Sequence, residues 1–187
     1  MKSDSVSRLT GLLLALWNLP ALADSEGLLD IFGSVNHAPC VLEMTSAYQT
    51  VDLKSVPRSM LMRPGDGATP QAFQLRFLDC RRASGSLLND RKGTLVWSAY
   101  QPVVSVSFVA VADADDPRLL KVQGVSGMGL RLTDSLGRDV RLGSRGAPLF
   151  VAHGSDTLTW HVQPTRTSAA LSNGAFRAVV DFRLNYE

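Results

Sequence analysis

The closing stretch Ala175-Phe176-Arg177-Ala178-Val179-Val180-Asp181-Phe182-Arg183-Leu184-Asn185-Tyr186-Glu187 decides the fold. Phe176, Ala178, Val180, Phe182, Leu184 and Tyr186 recur at period two, with Arg177, Val179, Asp181, Arg183 and Asn185 between them. Successive strand residues point to opposite faces, so this pattern predicts one long half-buried strand ending at the last residue. The same period returns in Phe73, Leu75 and Phe77 ahead of Cys80, and in Val104, Val106 and Phe108. Shorter apolar runs predict strands at 51–53, 119–122, 130–132, 140–142 and 158–162. Asp134-Ser135-Leu136-Gly137 supplies a turn with glycine in its fourth position. Seven or eight short strands separated by turn signals read as an all-β antiparallel sandwich.

Composition agrees. The chain has 187 residues with fifteen Gly, nine Pro and a 45% hydrophobic content. That suits one turn-rich β domain with a core and excludes disorder. A net charge of +2 argues against a nucleic-acid binder. Two cysteines and three histidines (His37, His153, His161) without shared ligand spacing nominate no metal site, and no cofactor is expected. Asp113, Asp115 and Asp116 lack an EF-hand pattern. Ser126 misses the Gly-x-Ser-x-Gly elbow, so no catalytic constellation and no enzyme is expected.

Residues 1–23 have the form of a cleaved export signal. Lys2 and Arg8 precede an apolar run from Leu9 to Leu16, and Ala21-Leu22-Ala23 follows Pro20. The run is too short to span a bilayer, so no membrane insertion of the mature chain is expected. Export places Cys40 and Cys80 in an oxidising compartment, where an even pair is most simply one disulfide. Closing a loop of about 40 residues would add about 4 kcal/mol in the chain-entropy view.

Two features are odd for a self-contained sandwich. Gly27, Leu29, Ile31, Gly33 and Val35 alternate at the mature N-terminus, where a polar tail is usual. The other end is a bare strand. An apolar tail and an abrupt strand together suggest a fold completed by another molecule. The segment 81–102 is the longest irregular stretch and reads as an extra hairpin or a surface loop, with Trp97 either an exposed carbohydrate-stacking residue or, the favoured reading, a loop anchor.

These pieces in order resemble the chaperone–usher fimbrial subunits of Gram-negative bacteria. The residues that carry the resemblance are Gly33 and Pro39-Cys40, Val51-Asp52-Leu53, Phe73-x-Leu75-x-Phe77-x-x-Cys80 and Val104-x-Val106-x-Phe108. They continue through Gly127-Met128-Gly129-Leu130-Arg131-Leu132 and Val140-Arg141-Leu142-Gly143 to the ending. There Gly174 is fourteenth from the end and Tyr186 is penultimate. The resemblance implies an incomplete immunoglobulin-like sandwich, at 37–187, lacking its final strand. It implies that a periplasmic chaperone lends a strand beside Gly174, Phe176, Ala178, Val180, Phe182, Leu184 and Tyr186 and anchors the carboxylate of Glu187. In the fibre, the extension of the next subunit would replace it. Residues 24–36, with Gly27, Leu29, Ile31, Gly33 and Val35, would be this chain's own donor strand.

The implied partners are the chaperone, an outer-membrane usher and neighbouring subunits, and the implied location is a fimbrium on the cell surface. An extension and the absence of room for a receptor-binding domain argue against a tip adhesin. The extended 81–102 region and fourteen arginines after cleavage count against a shaft-forming role, so a minor subunit is expected, and the resemblance implies that the fibre contributes to cell adhesion. The alternative is a self-sufficient secreted sandwich that binds a glycan or host protein.

Overall fold

Alternation along Gln71–Cys80 buries Leu75 and Phe77 and exposes Gln74 and Arg76, which fixes this strand as a wall of the core. The computed structural model describes residues 38–186. The expected signal segment 1–23, the extension 24–36 and Glu187 lie outside the described residues. In chain order the elements begin with β1 (Val41–Leu42), α1 (Met44–Ala47) and a 3-10 turn (Arg58–Met60). Then come β2 (Gln71–Cys80), β3 (Gly85–Asn89), β4 (Thr94–Ser98), β5 (Val103–Val109) and β6 (Leu120–Lys121). The last four are β7 (Met128–Asp134), β8 (Leu149–Phe150), β9 (Gly154–Arg166) and β10 (Asp181–Tyr186).

One antiparallel sheet has the order β1-β2-β9-β7-β6, and the other β10-β5-β8. Between them lies an aromatic cluster. Phe108 of β5 packs edge-on against Trp160 of β9 at 5.5 Å and against Phe73 of β2 at 5.9 Å. Edge-to-face contacts of this kind add to the stabilisation from burial alone. Pro164 sits on β9 beyond the last β2 pair, Gln71 with Val162, where no ladder N–H is needed from it. The Asp134–Gly137 turn forms as expected. Gly137 adopts φ 73° and its N–H donates to the Asp134 carbonyl at 2.9 Å.

The segment 81–102 contains a hairpin. β3 and β4 pair from Gly85 with Ser98 to Asn89 with Thr94, and β3 packs on the outer face of β5. This second contact explains why β5 is buried on both faces, with Val103 and Ser105 as inaccessible as Val104. Trp97 is not an anchor. It points outward, 66% exposed, because Leu87 fills the inward position on the hairpin.

Three expected strands are altered. Residues 51–53 keep the alternation but join no ladder. Residues 140–142 leave β7 after the Val140 N–H reaches the Leu132 carbonyl. They then cross to the other sheet, where Gly143 donates to Phe108 and Gly146 to Val106. The long C-terminal strand is laddered only over Asp181–Tyr186, because its partner β5 ends at Val109, opposite Asp181.

Cys40 and Cys80 form the expected disulfide across 40 residues of sequence. It ties the first described residues to the end of β2, where the Arg81 N–H also donates to the Pro39 carbonyl. Replacing both cysteines with alanine is expected to lower stability by about 4 kcal/mol, read as a drop in urea midpoint.

Tyr186 closes β10 with its hydroxyl buried and without a hydrogen-bond partner among the described residues. Burial pushes its phenol up to about 12. The folded chain therefore holds this proton to higher pH than the unfolded chain. Its contribution is fully present below the ordinary tyrosine value of 10.0 and is lost as pH rises toward 12. Tyr186→Phe should remove that alkaline loss and, by deleting an orphaned hydroxyl, raise neutral-pH stability by about 1 kcal/mol. Urea midpoints measured across the alkaline range check both.

Candidate functional site

A complete sandwich buries the inward side chains of every strand. Here the inward residues of the C-terminal segment, Phe176, Ala178, Val180, Phe182, Leu184 and Tyr186, are all only half-buried. Their alternation is intact: Ala175, Arg177, Val179, Asp181 and Arg183 are exposed. Across from them, Val51, Leu53 and Val56 are half-buried in the same manner. Between the two segments runs a groove of about 1520 Å³, floored by Leu75, Phe108, Leu130 and Val162 among others. The floor is apolar because it is the interior face of β2, β5, β7 and β9.

Both walls present open backbone edges to this groove. β10 is the edge strand of its sheet, bonded to β5 on one side only. Residues 50–56 make no backbone–backbone hydrogen bond with another described residue. The wall is instead held at its ends. Gln49 Nε2 donates to the Ser46 and Gln74 carbonyls, and Leu61, 3% exposed, plugs the core past the 3-10 turn. Lys54 adopts φ 58° and its ammonium lies 2.6 Å from the Asp52 carboxylate. The hydrogen bond from Lys54 holds that carboxyl below the usual range.

The C-terminal wall is stitched from behind. The N–H of Gln123 donates to the Arg177 carbonyl at 2.8 Å, and the N–H of Arg177 returns to Gln123 at 3.0 Å. Ser126 N–H donates to Ser172 Oγ, and Ser126 Oγ donates to the Ala170 carbonyl. Arg166 Nη1 donates to the carbonyls of Gly127, Thr167 and Ala169. This seam needs glycine at two places. Gly124, at φ 97°, lies where any Cβ would strike the Ala175 carbonyl oxygen. Gly127, at φ 78°, lies where a Cβ would sit 2.6 Å from Leu171 Cα. Arg58 Nη1 donates to Asn173 Oδ1 at 3.4 Å, linking the two walls at one end.

Phe176, Ala178, Val180, Phe182 and Leu184, set on one face by the sequence pattern, line the groove, while Tyr186 shares that face but does not line it. Gly174 stands at its end with φ 155°, beside the Gly124 carbonyl. The donor residues Gly27, Leu29, Ile31, Gly33 and Val35 and the terminal Glu187 lie outside the described residues. Val56, Val125, Leu171, Arg58 and Gly124 were missed. Val56 falls out of the period-two pattern because the backbone turns at Lys54, which the sequence does not signal, and the glycine seam has no local signature either. Among the described residues, no three His, Cys, Asp or Glu side chains gather as a metal site. No helix among them is long and apolar enough to cross a membrane.

The family described as fimbrial protein matches residues 30–187. The Fimbria A protein of Serratia marcescens is 28% identical, with all of both chains covered. A probable major fimbrial subunit of Escherichia coli O157:H7 is 27% identical, covering 97% of this chain and 96% of its own. Among solved structures, the P pilus rod subunit PapA covers 80% of this chain with all of its own. It superposes with a TM-score of 0.63 at 21% identity. A subunit from a chaperone–usher pilus gives a TM-score of 0.64 at 22% identity, over 90% of this chain. At these identities the structures speak for the fold, an immunoglobulin-like sandwich with one strand missing. The family match spans the groove and both its walls, and the chain belongs to the fimbrial subunits of chaperone–usher pili.

Proposed function

We propose that this chain is a non-enzymatic building block of the fimbrial fibre and that its groove is filled by donor-strand exchange. One observation carries the reading: two unpaired backbone edges face each other across an apolar groove whose side chains are half-buried. An inserted strand would bond to both edges at once, and its alternate side chains would finish the core. Main-chain hydrogen bonds supply adhesion and the knobs supply selectivity. A periplasmic chaperone occupies the groove first, and an outer-membrane usher delivers the subunit to the fibre. There residues 24–36 of a neighbour take the chaperone's place. The fibre stands on the cell surface and contributes to adhesion. Whether such a subunit is minor or repeating depends on whose extension the groove accepts.

The self-sufficient sandwich that binds a glycan or host protein is the weaker reading. Its core would be closed, and here six inward positions of the C-terminal segment are half-open.

The test is urea unfolding of residues 37–187 with and without residues 24–36 attached at the C-terminus through a flexible linker. Burying three or more knobs is expected to add on the order of 3–6 kcal/mol. A domain that folds only with the strand attached gives the same answer. Equal midpoints for the two forms, with this and with unrelated subunits' strands, would overturn the reading. A second expectation concerns the donor. A mature chain lacking residues 24–36 should still accept a strand but end every fibre it joins, seen as shortened fibres by electron microscopy.

A further inference from the structure

We propose that the β3–β4 hairpin is a second association surface, at which the free edge of β4 pairs antiparallel with β4 of a second copy and joins neighbouring fibres side by side. The strand reads Thr94-Leu95-Val96-Trp97-Ser98, β-branched and aromatic with no charge. Natural edge strands are blunted by shortness, by charged side chains, by proline or by a bulge. Outside the groove, the edge strands β1, β6 and β8 are two residues long each. β4 has five residues, no proline and an unbroken register against β3. Of the two hairpin strands, only β4 offers its edge. Gly85 and Leu87 of β3 are buried, backbone included, whereas Thr94, Leu95 and Trp97 of β4 are exposed. Among the described residues, no backbone group of 94–98 bonds to backbone outside the hairpin.

The face beside this edge is apolar. Ser86 pairs with Trp97 and Leu88 with Leu95, and Leu88, Leu95 and Trp97 are 48%, 62% and 66% exposed. A sugar stacked on Trp97 would need polar groups aimed at its hydroxyls, and Ser86 alone of these four outward side chains is polar. A second copy fits better, because the strand is nearly a palindrome. A two-fold axis through Val96 sets Leu95 of each copy opposite Trp97 of the other, and Thr94 opposite Ser98. Aliphatic with aromatic and hydroxyl with hydroxyl are favourable cross-strand pairs.

The flanks agree with this register. Lys92 at the hairpin tip comes toward Tyr100 of the other copy, which is 75% exposed, so an ammonium meets an aromatic ring. Each Lys92 is four positions from the axis, so the two tips stand about 26 Å apart. That exceeds the screening length of about 10 Å at 0.1 M salt, and the basic tips do not repel. Five paired residues bury far less than the roughly 1,600 Å² of a standard stable interface, so two free subunits associate weakly. A fibre repeats the edge on every subunit, and many weak contacts then hold together. A two-fold contact cannot relate subunits of one head-to-tail fibre, so the paired copies belong to different fibres. The pairing stands on the hairpin alone; its consequence, bundled fibres, rests on the donor-strand reading.

Single cysteines on the full mature chain read the register. Leu95→Cys and Trp97→Cys are mixed at submillimolar concentration, oxidised with copper phenanthroline and run on non-reducing gels. Opposed positions bring Cα atoms to about 4.5–5.5 Å, within disulfide reach. Like cysteines stand a diagonal apart, at about 7–8 Å. The mixture is expected to yield about tenfold more covalent dimer than either variant alone. Equal yields overturn the register, and a mixture yielding no more than Val111→Cys, an exposed position off the hairpin, overturns the pairing. In electron micrographs, wild-type fibres are expected to bundle, and fibres of Leu95→Lys with Trp97→Lys to lie singly at unchanged length. Leu88→Lys, on the same face but off the edge strand, should keep bundling within about twofold of wild type. An equal loss from Leu88→Lys would mean that the apolar face meets some other surface, and strand pairing fails. Wild-type fibres that lie singly overturn the bundling. If none of the chains forms fibres, the donor-strand reading fails, and the cysteine yields still decide the pairing.

Discussion

A β-sheet is satisfied when every backbone N–H and C=O along its strands has a partner, and this molecule leaves two edges open toward each other. The outer edge of β10 and the segment 50–56 bracket a gap floored by apolar side chains. Much of the remaining architecture keeps that gap from closing. The Cys40–Cys80 bond and the Gln49 amide fix one wall where it begins, and Leu61 fixes it where it ends. The Gln123–Arg177 pair and the Ser126–Ser172 contacts brace the other wall from behind. Without these ties apolar collapse would draw the walls together, because each half-exposed Phe or Val gains from losing water.

The core accordingly has two qualities. At one side Leu75, Phe77, Phe108 and Val104 are as inaccessible as in any closed sandwich. At the other, Phe176, Val180 and Phe182 contact the same cluster yet keep part of their surface in water. Phe182 shows the junction: it lies 6.4 Å from Phe108 on its core side and lines the groove on its other. The closed half is sufficient to define a fold, while the open half stores unrealised burial that a strand can collect. Open edges are normally protected by charge, and here Asp52, Lys54, Arg177 and Arg183 flank the opening. The same charges that discourage chance pairing can discriminate among strands.

Much of this was legible in the sequence. Period two named the inward residues of the C-terminal segment and of β2 and β5 without error, because it reports which face a side chain occupies. It does not report pairing. Residues 51–53 alternate like a strand and have no described ladder partner, and 140–142 are diverted to a second sheet by the turn at Gly143. The expected strand keeps its alternation over residues 175–184, but ladder bonding stops where β5 stops. Trp97 fails for a related reason. Its outward direction follows from Leu87 taking the inward place on the hairpin, and that depends on β5 lying beneath. The glycine seam at Gly124 and Gly127 is invisible locally, since its purpose appears only when residues 170–175 pass against it.

A donor and an acceptor on different parts of one molecule make a heterologous contact, and a heterologous contact that does not close produces an open fibre. The same arrangement carries a competitor. A segment tethered to the domain it could fill is present at an effective concentration far above that of any copy in solution, on the order of millimolar for a short linker. Charge complementarity cannot resolve this competition, because a chain's own extension and a copy's extension carry identical charges. Prior occupancy can. A groove already holding another strand excludes the tethered segment, and displacement by an incoming copy then starts from a filled site. Under the proposed function, the half-open core and the need for a chaperone are two consequences of one missing strand. A subunit able to wait must be unfinished, and an unfinished subunit must be kept from finishing itself.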